Sequence, residues 1–207
     1  GDLRIELTAI GGVDAAKRLA AGEAFDAVVL GADALHKLME GGHVRAGSRV
    51  DIARSGVAVA VPAGQARPDL GSEAGVRQAV LAAPTLAYST GPSGVALARL
   101  FERWGIAERI AARLVVPPPG VPVGSLVASG AVALGFQQLS ELMHLPGIDV
   151  VGPLPAALQV ETVFAGGVPA QAAQPDAARA LLAFLASPAA QQARQDNGME
   201  DAAAGPG

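Results

Sequence analysis

The chain has 207 residues, 51% of them apolar and 16% charged, with a net charge of −4. That length suits one domain or two small lobes with a buried core, and the composition excludes a disordered segment. The 15 lysines and arginines form no basic run and aromatics are scarce, which excludes a nucleic-acid footprint, while the absence of cysteine excludes disulfides, thiolate metal sites and thiol nucleophiles.

Along the chain, "LRIELTAI" alternates Leu3, Ile5 and Leu7 with polar residues, a strand pattern of period two. "GGVDAAKRLAAG" follows as a short helix, with Asp14 in its first turn and Gly22 as its stop. "FDAVVLG" reads as a strand covered on both faces and "DALHKLMEGG" as a helix, so strand and helix alternate as in a parallel α/β fold. "SGVAVAVPAG" is a further strand closed by Pro62 and Gly64, and "RPDLGSEAGVRQAVLAAP" is a loop and helix. "TLAYST" is the strand that leads into the turn "STGPSG". "RLVVPPPGVPVGSLVASG" supplies a short strand, a proline loop and a helix, "AVALGF" a buried strand and "QQLSELMHL" a helical turn. "LQVETVFAGGV" reads as a strand, and the tail from Gln174 as one or two helices with Ala178, Leu181, Leu182 and Leu185 on their packing face. Residues 19–38 and 126–145 align without gaps as helix end, strand, polar turn and helix start, which suits two α/β lobes of one kind.

The turn at Ser89, Thr90, Gly91, Pro92, Ser93 and Gly94 carries the strongest local signal. If Ser93 caps a helix beginning near Val95, then Leu97, Leu100, Phe101 and Trp104 form an apolar stripe that pins the helix to a sheet. The unpaired N–H groups of its first turn would then favour an anion beside the hydroxyls. An ordinary capped helix satisfies the same residues. Arg54 and Ser55 stand before a buried strand, where an arginine can clamp a carboxylate or be simply solvated. Gln137 and Gln138 end the "AVALGF" strand, where α/β folds bind ligands; they suit an oxygen-rich ligand or the cap of the next helix. No nucleophile elbow, Walker loop or dinucleotide fingerprint is present. His36, His43 and His144 show no metal-ligand spacing, so neither metal nor cofactor is implied, and the carboxylates Asp33, Glu141 and Glu161 pair in no acid–base spacing.

Taken together and in order, "IGGVDAAKRLAAGEAFDAVVLGADAL", "RSGVAVAVPAG", "YSTGPSGVALARLFERWGI" and "SGAVALGFQQLSEL" resemble the extracellular solute-binding proteins of ABC transporters, in the branch related to molybdate-binding proteins. The resemblance implies an α/β fold of the type II periplasmic-binding-protein kind: two α/β lobes, residues 1–56 with 160–207 and residues 57–159, joined by crossing strands around a cleft. It implies a hinge near Arg54 to Val57 and near Leu158 to Val160. Carried over by position, the ligand contacts would be Gly11, Gly12 and Val13 in one lobe, and Ser93 and Gly94 with the loop at Val121 and Pro122 in the other. Ser89, Thr90, Gln137, Arg54 and Ser55 join them from the residue reading. Gln138 stands where molybdate binders place a tyrosine; with Arg54 and Ser55 this points from molybdate toward an organic carboxylate.

The family pattern opens with a strand, a serine-bearing loop and a helix ahead of "LRIELTAI", and this sequence begins without that unit. A lobe lacking it would expose strand edges and favour a homo-oligomer. No apolar run approaches the ~18 residues of a membrane span, and "GDLRIELTAI" is neither a signal nor a transit peptide, so a periplasmic location implies a signal already removed. The expectation is therefore a periplasmic binding protein for a small anion, without catalysis, whose closed form a transporter permease reads. One alternative is an isomerase on the same fold, since the branch includes enzymes that interconvert the aconitates. For such an enzyme Arg54, Ser93 and Gly94 are candidate clamps, and no base stands out. The other alternative is a fragment that binds nothing.

Overall fold

The computed structural model describes residues 4–118 and 120–202. Its elements begin with helix α1 (Gly12–Ala20), strand β1 (Val28–Gly31), helix α2 (Ala32–Glu40) and the long strand β2 (Val50–Pro62). Next come α3 (Glu73–Ala82), β3 (Leu86–Tyr88), α4 (Pro92–Arg103), α5 (Ala107–Ile110), β4 (Leu114–Val115) and α6 (Val123–Ala128). Then follow β5 (Leu134–Gln138), α7 (Leu139–Leu142), β6 (Ile148–Pro153) and β7 (Glu161–Gly167). The chain closes with α8 (Pro175–Ala186), α9 (Gln191–Asp196) and β8 (Glu200–Asp201). Two compact units result, one comprising the chain up to Arg54 and from Val163 onward, the other Ser55–Thr162. The chain passes between them within β2 and within β7.

In the first unit β1 pairs antiparallel with β7, from Val28↔Gly167 to Gly31↔Phe164, and the start of β2 pairs antiparallel with β8. Alternating strands and helices predict parallel pairing here; instead β1 takes a partner from the far end of the chain. Leu19, Leu30, Leu35, Leu38 and Val44 form one core, and Ile52, Val168, Ala178 and Leu182 another. Gly166 lets helix α8 close on β7, because a Cβ there would stand 2.3 Å from Leu182 Cδ2. Val29 is 45% exposed, so β1 is not covered on both faces as its apolar run suggests. Residues 4–10 form no strand, and Leu7 is 88% exposed. Their alternation supplies the pattern of a strand, but no described neighbour supplies hydrogen bonds or a face to bury.

The second unit is a five-stranded sheet in the order β6–β2–β5–β3–β4. Here β2 lies antiparallel to both β5 and β6, whereas β5, β3 and β4 run parallel. Strand β2 explains both faces. Val57, Val59 and Val61 point to the core beneath α3 and α4, and Ala58 and Ala60 to the core beneath α6. The small residues leave room for Val123 and Val127 of α6, as does Gly135, where a Cβ would meet Val127 at 2.5 Å. Strand β6 gives no sequence signal because all but its last residue are half-buried, without alternation.

The residue-159 side chain fastens the two segments that leave this unit. Gln159 Oε1 accepts from Val57 N at 2.8 Å, and Gln159 Nε2 donates to Val57 O at 3.2 Å, as a strand backbone would. This contact needs Gly56, because a Cβ there would stand 2.9 Å from Gln159 Cδ. Gly56→Ala is therefore expected to cost about 1–3 kcal/mol, and less when Gln159 is also cut to alanine. Urea unfolding of the two single variants and the double variant measures that coupling.

Candidate active site

Strands β5, β3 and β4 are parallel neighbours, so their carboxyl ends share one edge of the second unit's sheet. Three segments leave that edge: 89–91 into α4, 116–122 into α6, and β5 directly into α7. Carboxyl edges are where α/β sheets place ligands. Of the residues foreseen as ligand contacts, Ser89, Thr90, Ser93, Gly94, Val121, Pro122, Gln137 and Gln138 all belong to these segments or the helix starts beside them.

The α4 turn differs in detail from its sequence reading. The helix begins at Pro92, three residues before Val95, and Gly91 rather than Ser93 is its N-cap. Proline at the first helical position explains the earlier start, since its fixed φ suits the helix and its missing N–H costs nothing there. Ser93 lies inside the first turn, 1% exposed, with its Oγ 3.3 Å from Ser89 Oγ. Gly94 is obligatory, because a Cβ would come within 1.6 Å of the Ser89 carbonyl oxygen. The turn so folded has first-turn N–H groups without intrahelical acceptors and two hydroxyls beside them, a setting that favours negative charge. Leu97, Leu100 and Phe101 are buried, and Phe101 meets Tyr88, Trp104 and Phe136 at ring separations of 5.9–6.1 Å, which holds α4 on β3 and β5. Burial and, after it, the nearby Glu102 push the Tyr88 phenol up, so it stays protonated at neutral pH.

Gln137 connects the three segments. The last registered pair of β3 and β5 is Tyr88↔Phe136, and the next residues along are Ser89 and Gln137. The Gln137 side chain is buried. Its Oε1 accepts from Gly124 N at 3.0 Å, in the first turn of α6. That contact orients the amide, so Nε2 donates to Glu141 in α7. Burial pushes the Glu141 carboxyl up, and the Gln137 hydrogen bond offsets part of the rise. Even so, Glu141 keeps an accessible surface, so its carboxyl is desolvated without being sealed off. Sequence spacing shows no partner for Glu141; the i, i+4 pair Gln137–Glu141 straddles a strand–helix junction, where helical spacing has no meaning beforehand. Gln138, also buried, donates to Thr162 Oγ1 at 3.1 Å, and the Ser55 hydroxyl accepts from Ser140 N at 3.2 Å.

The other foreseen residues belong to the first unit. Gly11 is the N-cap of α1, Gly12 opens the helix, and Val13 is 46% exposed. The Arg54 guanidinium pairs with Glu200 at 2.7 Å, across the β2–β8 ladder. A hollow of about 470 Å³ in this unit is lined by Gln191, Gln195, Gly198, Met199, Glu200 and Asp201, none of them foreseen as a contact. Among the described residues no group of three His, Asp or Glu side chains could hold a metal ion. None of the described helices is long and apolar enough to cross a membrane.

Hydroxyls and helix N–H groups thus gather at the carboxyl ends of parallel strands, a setting that favours negative charge. Residues 1–200 match the Bacterial extracellular solute-binding protein family, and the chain belongs to it. A family so described goes with a location outside the cytoplasm. One relative, the aconitate isomerase of a Pseudomonas species, is 42% identical over 190 residues, spanning 91% of this chain and 72% of that protein. The solved Azotobacter vinelandii periplasmic molybdate-binding protein superposes with a TM-score of 0.75 at 21% identity, covering 93% of this chain and 85% of its own. A periplasmic thiamin binding protein gives 0.70 at 16% identity, over 95% and 73%. These two likenesses carry the fold alone.

The isomerase overturns the expectation of a binding protein without catalysis. The α/β binding-protein fold and the molybdate-type resemblance stand, but the relative that matches at 42% is an enzyme. The residue pattern left an isomerase as an alternative, with clamp candidates and no base, and it gave Glu141 no partner; the contact with Gln137 appears only in the folded sheet.

Two variants test this description. Gly94→Ala is expected to lower stability by at least about 2 kcal/mol, since the turn must open to admit the methyl group, and thermal unfolding measures the loss. Glu141→Gln tests the carboxyl. A carboxyl raised in the folded state keeps its proton after the unfolded chain has lost its own, so stability falls as pH rises from the usual carboxylate range through the raised value. Glutamine removes that penalty. The variant is expected to melt no lower than the unaltered chain at neutral pH, and any advantage should vanish below the usual carboxylate range.

Proposed function

We propose that the chain is an isomerase that interconverts the cis and trans forms of aconitate. The observation that carries this reading is the 42% identity to an aconitate isomerase across 91% of the chain. Aconitate is a propene bearing three carboxylates, and its isomers interconvert when the double bond migrates. A methylene proton leaves, the C–H electron pair forms the new double bond, and the old double bond takes a proton at its far carbon. The skeleton is unchanged and no oxidant or reductant enters.

Charge accumulates on the substrate as the proton leaves, so an enzyme gains most from donors placed where that charge develops. The α4 turn offers the Ser93 and Gly94 N–H groups with the Ser89, Thr90 and Ser93 hydroxyls, which suit one substrate carboxylate. On this reading they bind and orient the substrate, and the helix dipole stabilises the enolate-like charge. The place of action is the periplasm.

The test is incubation of the purified chain with trans-aconitate and, separately, cis-aconitate, with the isomers resolved by chromatography. Each is expected to yield the other until one common ratio is reached. Ser89→Ala combined with Ser93→Ala is expected to raise KM about tenfold or more, as two polar contacts are lost. Ligand-induced stabilisation without turnover of either isomer overturns the proposal.

A further inference from the structure

We infer that Glu141 is the group that carries the proton, and that Gln137 positions it. The inference rests on the isomerase reading above and supplies the base which that reading lacks. Glu141 lies in the turn that follows β5, on the edge from which the α4 turn also leaves. Gln137, level with Ser89 in the parallel pair, donates its amide hydrogen to the Glu141 carboxylate. The direction of that bond is fixed, because Gly124 N–H occupies the Gln137 oxygen. One carboxylate oxygen is thereby held while the surface of Glu141 stays accessible.

The chemistry fits one such group. As carboxylate, Glu141 takes the methylene proton; the electron pair moves into the allyl system, and the resulting carboxylic acid returns a proton to the far carbon. The side chain ends the cycle as it began. A carboxyl desolvated by its surroundings is a stronger base than one in water, and it returns the proton readily within the same bound state. Gln137 contributes no charge, so it can orient the carboxylate without deactivating it as a salt bridge would. Its own carbonyl is satisfied by the α6 backbone, which ties the base to the loop bearing Val121 and Pro122.

A purely structural role makes a different prediction, and glutamine separates the two. Glu141→Gln preserves the volume and the oxygen that accepts from Gln137, and removes the capacity to take a proton. The unaltered chain, Glu141→Gln and Glu141→Asp are assayed side by side with trans-aconitate, with their melting temperatures measured at neutral pH. The expected result is a hundredfold to ten-thousandfold loss of kcat in Glu141→Gln, of the order a general base supplies. KM should stay within about threefold, the melting temperature should be undiminished, and Glu141→Asp should restore part of the rate. A second readout is transfer of deuterium from the labelled methylene of the substrate to the far carbon of the product, which the unaltered chain should catalyse and Glu141→Gln should not.

Turnover by Glu141→Gln within about tenfold of the unaltered chain overturns the role of Glu141 and leaves the isomerase reading intact. A melting temperature lowered by more than about 5 °C in that variant makes Glu141 a structural residue and overturns the inference likewise. Absence of turnover in the unaltered chain overturns the isomerase reading itself, and the role of Glu141 with it.

Discussion

A single buried carboxamide constrains the chemistry-bearing edge of the second unit. Gln137 is the last but one residue of β5, and its backbone is fixed by pairing with β2, where Ala58 is its partner. Its side chain then reaches the start of α6 through Gly124 and α7 through Glu141. Both ends of the amide are used, and a buried amide with one end unsatisfied would cost about 1–3 kcal/mol. The α6 start, the α7 turn and the sheet are thereby held in one arrangement. Leu134, Phe136 and Phe101 act on the opposite face, where they hold α4 against the same strand. From opposite faces of one strand, a donor-rich turn and a carboxylate are thus fixed beside the same carboxyl edge.

This division clarifies how a fold shared with binding proteins can support catalysis. Holding an anion needs donors that stay in place, and helix starts provide them from the backbone at no cost in charge. Moving a proton needs one more thing, a titrating group whose surroundings favour its neutral form. Burial pushes the Glu141 carboxyl in that direction. On the isomerase reading, the step from holding an anion to moving a proton asks for one such group beyond the donors.

Much of the fold is legible in the sequence where the signal is local. Residues 19–38 and 126–145, aligned without gaps, place β1 against β5 and the start of α2 at Ala32 against the start of α7 at Leu139. Their N-caps, Gly31 at φ −54° and ψ 136° and Gln138 at φ −55° and ψ 139°, share one backbone conformation. The stripe of Leu97, Leu100 and Phe101 is likewise local and packs as its spacing implies. Pairings between distant residues leave no such trace. β1 joins β7 across most of the chain, and Arg54 finds Glu200, 146 residues away. The alternation of residues 4–10 describes a strand's faces but not its neighbour, and without a neighbour the pattern does not become a strand.

The candidate site residues divide along the same line. Ser89, Ser93 and Gly94 were legible because a turn's chemistry is written in consecutive residues, even though Gly91 takes the capping role that spacing gave to Ser93. Glu141 was not, because what distinguishes it from Asp33 or Glu161 is its surroundings rather than its neighbours in sequence. Its carboxyl is shifted by burial and held by Gln137 of β5, whose amide also reaches the start of α6. Such a group works against folding at neutral pH, since its charged form is better solvated in the unfolded chain. The oriented amide and the accessible surface that accompany this cost are what the proposed proton transfer would use.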